Sequence, residues 1–83
     1  MPEEYTLKKT ENFNFDAFAA RWPSPVVARE RVGEFSGGAL TAGTMANHDS
    51  KGEGPPRLRL GRKIVYPVVE LVEWMKARTE AVS

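Results

Sequence analysis

The sequence predicts a small, mainly helical fold with one β-hairpin. Apolar residues recur at helical spacing in several short segments, and glycine and proline residues separate these segments. The stretch after residue 56 instead alternates basic and apolar residues, as strands do. Because the chain has 83 residues, we expect one domain with a modest core.

The composition excludes several kinds of site. Cysteine is absent, which removes disulfides, thiolate zinc sites and cysteine nucleophiles, and fits a reducing compartment. Apolar runs are short, and the first residues have no apolar signal core. We therefore expect a soluble, cytoplasmic protein without a membrane partner.

The charge is unevenly distributed although the formal net charge is only +1. Residues 41–66 contain five basic and two acidic residues. Such a local basic patch is typical of a surface that binds a polyanion. A solvated, charged hairpin is the alternative explanation.

Residues 1–24 are predicted to form an N-terminal arm with a short amphipathic helix. Asn14 is a suitable N-cap and Pro23 ends the helix. The apolar stripe of this helix contains Phe15, Phe18, Ala19 and Trp22. The stripe either packs on the core of the same domain or mediates self-association or partner binding through Phe15, Phe18 and Trp22.

Residues 25–79 are predicted to form the main domain, and residues 80–83 a C-terminal tail. Ser24 followed by Pro25 favours a helix start, so we expect a helix from Pro25 to about Phe35. Arg29 and Glu30 would face water. The buried side would contain Val27, the stem of Arg31, Val32 and Phe35. Two glycines, Gly37 and Gly38, would end the helix.

A second helix is predicted from Ala42 to about Ser50, with Thr41 as its N-cap and Leu40 and Met45 facing inward. Two helices joined by a short glycine-containing turn are the arrangement in which the second helix enters the major groove of DNA. Its small or polar residues are candidates for DNA contact: Thr41, Gly43, Thr44, Asn47, His48 and Lys51. An ordinary exposed helix is the alternative.

A β-hairpin is predicted after the glycines and prolines of residues 52–56. RLRL and KIVY form its strands around Gly61 and Arg62. Leu58 and Leu60 would pack inward while the arginines point outward. The basic residues predicted to contact phosphates or the minor groove are Arg57, Arg59, Arg62 and Lys63.

The last predicted helix runs from Pro67 to about Thr79. Its apolar side contains Val68, Leu71, Val72 and Met75. Trp74 lies beside this side, and we expect Trp74 and Met75 to pack in the core.

The order of these elements resembles the small winged-helix excisionase and AlpA-type proteins, relatives of the MerR DNA-binding domain. The similarity covers residues 25–78 and rests on GGALTAGTMAN, SKGEGPP, LGRKIVY and LVEWM. It implies a winged helix-turn-helix fold with a recognition helix at about Thr41–Ser50 and a wing at Arg57–Tyr66. The sequence departs from the family at His48 and Asp49, where relatives usually carry an arginine-containing pair, and in the acidic, aromatic N-terminal segment.

The resemblance also implies a role in DNA excision from mobile genetic elements. Such recombination directionality factors bind repeated sites in double-stranded DNA near an attachment site. They bend the DNA and steer a tyrosine recombinase (integrase) toward excision. Because one copy of this chain offers few phosphate-reaching cations, we expect its copies to bind cooperatively through self-association. Other members of the family regulate transcription, as AlpA-like proteins do.

Catalysis is not expected, because the chain has one histidine, no cysteine and no paired carboxylates. His48 and Asp49 are adjacent, so on a helix they point about 100° apart and do not converge on one metal or substrate. We predict no metal, cofactor or catalytic residue. The remaining alternative is a protein-interaction module that uses Phe15, Phe18 and Trp22 and does not bind DNA.

Overall fold

The computed structural model describes residues 13–82, which contain four α-helices and one three-stranded antiparallel sheet. The elements in chain order are α1 (Asp16–Arg21), β1 (Val26–Ala28), a 3-10 turn (Arg29–Arg31), α2 (Val32–Phe35), α3 (Ala42–Ser50), β2 (Leu58–Leu60), β3 (Lys63–Pro67) and α4 (Val68–Ala77). The fold therefore mixes helices and strands. The predicted hairpin is present, and β1 is a strand where a helix was expected.

The predicted helix starting at Pro25 is wrong over its first turn. Ser24 Oγ does accept a hydrogen bond from the Val26 N–H, at 3.2 Å, but a strand follows. This strand pairs with β3, and Val27 lies opposite Tyr66. β-branched residues such as Val26 and Val27 favour a strand. Pairing with β3, some 40 residues away in the chain, makes this segment a strand rather than a helix. Within the segment predicted to be this helix, helical structure begins only with the 3-10 turn.

One core connects all the helices and the sheet. Tyr66 is its largest fully buried side chain. The other buried apolar residues of this cluster are Phe15, Val27, Val32, Phe35, Met45, Val68, Leu71 and Val72. Most of the residues predicted to be buried are therefore buried, but the Arg31 side chain is 55% exposed and pairs with Glu34.

The aromatic stripe of α1 packs on the same domain. Phe15 is buried in the core, and Phe18 and Trp22 are half-buried. The Trp22 ring meets Phe35 edge-on with 5.3 Å between centroids, and its Nε1 donates to the Val26 carbonyl over 2.9 Å. The predicted cap at Asn14 is wrong by one position, because Phe15 is the N-cap residue and no side chain caps α1. Asn14 Oδ1 instead accepts a hydrogen bond from the Asp16 N–H at 3.2 Å. Residues 1–12 of the predicted arm lie outside the described residues, and self-association stays a prediction.

Between residues 13 and 82, no helix has both the length and the apolar character required to cross a membrane.

Candidate nucleic-acid interface

Helix α3 has the predicted bounds, and its polar face is exposed. Thr41 Oγ1 accepts a hydrogen bond from the Thr44 N–H at 3.1 Å, which is the expected N-cap. Met45, on the opposite side, is completely buried. The exposed candidates for DNA contact are Thr41, Gly43, Thr44, Asn47 and Lys51. Spacings of three and four residues bring Thr44, Asn47 and Lys51 onto one face.

The turn before α3 depends on glycine. Gly37 and Gly38 have φ angles of 68° and 89°, which other residues rarely adopt. They end α2 as predicted, and the chain then reverses into α3. The polar face of α3 is consequently presented on the surface by a short turn.

His48 lies at the edge of this face rather than within it. Its ring is half-buried and packs edge-on against Trp74, with 5.2 Å between centroids. Trp74 is held in turn by a hydrogen bond of 2.9 Å from Nε1 to the Glu53 carbonyl and by the Arg78 guanidinium, 4.8 Å from its ring. His48 therefore links α3 to α4, and its contact with DNA stays a prediction.

The β2–β3 hairpin is closed by Gly61 and Arg62. Gly61 has a φ of 63°, as glycine does at the first position of a type II′ turn. The four predicted basic residues are all exposed: Arg57, Arg59, Arg62 and Lys63. The hairpin therefore presents its cations to solvent, as expected.

The predicted orientation of β2 is wrong. Leu58 and Leu60 are 58% and 66% exposed. Arg59 lies opposite Ile64, and because residues directly opposite share a face, Arg59 lies on the face of the sheet that also carries Tyr66. Tyr66 is buried, so this is the core-facing side. Arg59 thus lies on the side of the sheet that faces α3.

The basic residues of the hairpin differ in how their charges are compensated. Lys63 Nζ donates to both carboxylate oxygens of Glu30, at 2.7 and 2.9 Å. Arg57 lies 3.7 Å from a carboxylate oxygen of Asp49. Arg59 and Arg62 form no ion pair with any residue in the described range. The two most available cations are therefore at and next to the hairpin tip.

A groove of about 430 Å³ runs between the N-terminal end of α3 and the hairpin. Its lining residues are Arg29, Glu30, Ala42, Arg62, Lys63 and Ile64. Three of these are cationic, and the N-terminal end of a helix carries partial positive charge. Glu30 is the one acidic residue of this lining. The groove lining therefore carries more positive than negative side chains.

A buried network below the groove was missed. Asp49 Oδ2 accepts hydrogen bonds from Tyr66 Oη and Arg29 Nη2, both at 2.6 Å, and Arg29 Nε donates to Tyr66 Oη at 3.0 Å. Burial raises the pKa of the Tyr66 hydroxyl. Hydrogen bonds to Tyr66 and Asp49 raise the pKa of the Arg29 guanidinium. The prediction that Arg29 faces water is wrong, because Tyr66 and Asp49 hold it.

The position of Asp49 was available as a signal in the sequence. Asp49 follows the inward residue Met45 by four positions, which places both on the same side of α3. A charged residue on the buried side requires a partner, and Arg29 and Tyr66 are the partners.

Comparison with known proteins assigns no family to this chain. No protein-family model matches the chain, and neither a curated protein nor a solved structure matches it. Residues 13–82 contain no cluster of three or more histidine, cysteine or acidic side chains that could hold a metal ion.

Proposed function

We propose that this protein binds double-stranded DNA, with α3 as the recognition helix and the β2–β3 hairpin as the wing of a winged helix-turn-helix. One observation carries the proposal: α3, whose polar face is exposed, is joined through Asp49 to a hairpin whose Arg59 and Arg62 have no acidic partner in the described range. The groove between the two elements supplies a path for one phosphate backbone.

Helix α3 supplies the groups suited to base recognition. A major groove admits an α-helix, and small residues such as Gly43 let it approach the base edges closely. Thr44 and Asn47 are exposed and carry groups that hydrogen-bond to bases. These two side chains would therefore determine sequence preference.

The hairpin supplies sequence-independent contacts. Arg59 faces the α3 side of the sheet, and Arg62 lines the groove, so both are suited to phosphates next to the bound helix. Lys63 would join them once a phosphate replaces Glu30 as its partner. One copy offers few such cations, so we expect copies to bind neighbouring sites cooperatively.

The biological role we propose follows the resemblance described above. The protein would act as an excisionase, binding repeated sites near an attachment site, bending the DNA and directing a tyrosine recombinase toward excision. A transcriptional regulator of the AlpA type is the alternative, since it uses the same helix and wing.

A gel-shift titration tests this function. The probes are a duplex from the DNA flanking the gene or the element's attachment site and a scrambled duplex of equal composition, each at two salt concentrations. We expect shifts that favour the flanking duplex, weaken with salt and climb in discrete cooperative steps. Absence of any shift at low salt would instead support the protein-interaction alternative, with Phe18 and Trp22 as the first residues to test.

Two matched variants remove positive charges, one from the proposed DNA-binding surface and one from elsewhere on the protein. Arg59 and Arg62 changed together to alanine should weaken binding to both duplexes. Arg21 and Lys76 are exposed cations on α1 and α4, and changing both to alanine controls for lost net charge. Equal effects of the two variants would contradict a role of the hairpin.

A further inference from the structure

The carboxylate of Asp49 is where α3 and the hairpin are joined. Asp49 belongs to α3, and its Oδ2 is hydrogen-bonded to Tyr66 of β3 at 2.6 Å. The same oxygen accepts from Arg29, which follows β1, also at 2.6 Å. Arg57, just before β2, approaches the other oxygen, Oδ1, to 3.7 Å. The Asp49 side chain therefore contacts the residue before β2, a residue near the end of β3 and the residue that follows β1.

The surroundings of Oδ1 leave this oxygen available to Arg57. The Asp49 side chain is 4% exposed, and Oδ1 has no hydrogen-bond partner within residues 13–82. Gly54 lies so close to this oxygen that a Cβ at position 54 would overlap with it. The segment leading to β2 is thus held against the carboxylate by close packing and by the charge of Arg57.

The buried charge of Asp49 is suited to a geometric role. Replacing a buried ion pair with apolar side chains is often neutral or stabilising, whereas the directional bonds of a charged group fix one geometry among several. Here the geometry that is fixed is the angle between α3 and the hairpin. DNA recognition depends on that angle, because the helix must meet base edges while the hairpin meets phosphates.

We propose that Asp49 is a positioning residue that holds the hairpin at one angle to α3 and thereby sets the sequence specificity of DNA binding. The specificity rests on the proposed function, whereas the positioning of the hairpin does not. Asp49 itself is buried and contacts no DNA. Its loss should therefore reduce discrimination between sequences while leaving binding to an arbitrary duplex intact.

A distance measurement tests the positioning without DNA. The chain has no cysteine, so Asn47→Cys and Leu60→Cys provide unique sites for spin labels on α3 and on β2. Asp49→Asn keeps an acceptor for Arg29 and Tyr66 but places an amide where the charge faced Arg57. Electron paramagnetic resonance should give one narrow distance distribution for the parent and a broader one for Asp49→Asn.

The matched control is Glu30→Gln. It makes the same change in net charge and removes the partner of Lys63 in β3, but that ion pair is exposed, with side chains 60% and 56% accessible. Exposed pairs contribute little to geometry or stability, so the distribution should stay narrow. Equal broadening in both variants would overturn the proposal.

The specificity is tested with the unlabelled proteins. The preferred duplex is the one that the wild-type protein enriches from a randomised library, and a scrambled duplex is the reference. For Asp49→Asn, the ratio of the two affinities should fall about tenfold, as for the loss of one base contact, without weaker binding to the scrambled duplex. An unchanged ratio, or an equal loss on both duplexes, would overturn the specificity claim.

The remaining outcomes are also decisive. If circular dichroism shows that Asp49→Asn does not fold, Tyr66→Phe is measured instead, because it removes one hydrogen bond to the carboxylate. A broader distance distribution in Tyr66→Phe would support the positioning role of Asp49. A distribution as narrow as that of the parent would refute it. If the wild-type protein binds no duplex at low salt, the proposed function fails and the specificity claim fails with it, while the distance measurement still decides whether Asp49 positions the hairpin.

Discussion

Tyr66 donates its hydroxyl hydrogen to Oδ2 of Asp49 over 2.6 Å and so joins β3 to α3 across 17 positions of the chain. The Tyr66 ring is the largest fully buried side chain, and its hydroxyl reaches the one carboxylate on the inner side of α3. The Tyr66–Asp49 hydrogen bond consequently connects the core to the helix that carries the candidate DNA-binding residues. Changes to this bond should affect both stability and recognition.

Tyr66→Phe should destabilise the fold by about 1.5–3 kcal/mol, because it removes a buried hydrogen bond to a charged group and leaves Arg29 and Asp49 partly unsatisfied. Urea denaturation followed by circular dichroism measures the change. A free energy of unfolding within about 0.5 kcal/mol of the wild type, the range of ordinary surface substitutions, would show that the bond contributes nothing.

The raised pKa of Tyr66 predicts a loss of stability in alkaline solution. Burial raises the pKa above the ordinary value of 10.0, so the folded protein retains the phenolic proton at a pH where the unfolded chain loses it. The resulting stabilisation is complete below pH 10 and decreases as the pH rises from there through the folded-state pKa.

Unfolding free energies of wild type and Tyr66→Phe between pH 8 and pH 11 isolate this contribution, since the other titrating groups are common to both. The wild type should lose its advantage over Tyr66→Phe as the pH rises. A constant difference across that range would contradict a raised Tyr66 pKa.

Two Gly→Ala changes should have opposite effects on stability. At Gly54 the new Cβ would overlap with the Asp49 carboxylate, which its hydrogen bonds hold in place, so Gly54→Ala should cost about 1–3 kcal/mol. At Gly43, in α3, the new Cβ meets only Thr41 Oγ1 at 4.0 Å, so Gly43→Ala should stabilise by about 0.4–1 kcal/mol. Thermal or urea unfolding measures both.

The same Gly43→Ala variant separates stability from DNA binding. Its Cβ would project from the exposed face of α3, so binding to the preferred duplex should weaken although the protein is more stable. Stronger stability together with unchanged binding would place Gly43 outside the DNA contact.

Glu30→Gln should strengthen binding to every duplex. Glu30 holds Lys63 through both carboxylate oxygens, and its removal frees that cation for a phosphate. The expected gain is about two- to fivefold at low salt, matching the 0.5–1 kcal/mol typical of the stronger exposed pairs. Glu73→Gln, on the exposed side of α4, makes the same charge change away from the groove and should have a smaller effect. Fluorescence anisotropy measures both.

The two kinds of contact should separate by mutation. Thr44→Ala and Asn47→Ala should mainly relax sequence preference, whereas Arg59→Ala should weaken binding to all duplexes alike. Competition with mixed-sequence DNA measures the preference. A uniform loss for Asn47→Ala would indicate that α3 contacts the backbone rather than the bases.

Local signals predicted the local features of this fold. Thr41 before a short helical segment gave the bounds of α3, and the alternation around Gly61 gave the hairpin. Strand β1 could not be predicted in this way, because Val26 and Val27 become a strand only through pairing with β3. Alternation in β2 showed that Leu58 and Leu60 share a face, but which face meets the core depends on the pairing register.

In the candidate site, too, local features could be predicted from the sequence and long-range pairing could not. The exposed residues of α3 and the basic residues of the hairpin are visible in the sequence. Ala42, at the start of α3, lines one groove together with Arg62 and Lys63 of the hairpin. Their pairing is not visible, since Glu30 lies 33 positions from Lys63, and Tyr66 and Arg29 lie 17 and 20 positions from Asp49. Long-range contacts therefore determine which cations remain available.

The most direct test of the central claim is the salt dependence of duplex binding for wild type and for the Arg59→Ala, Arg62→Ala double variant. If both arginines contact phosphates, the slope of log affinity against log salt should be smaller in magnitude by about 1.8 in the variant, from about 0.9 for each phosphate. An identical slope, or no binding by the wild type at low salt, would contradict a DNA-binding surface formed by α3 and the hairpin.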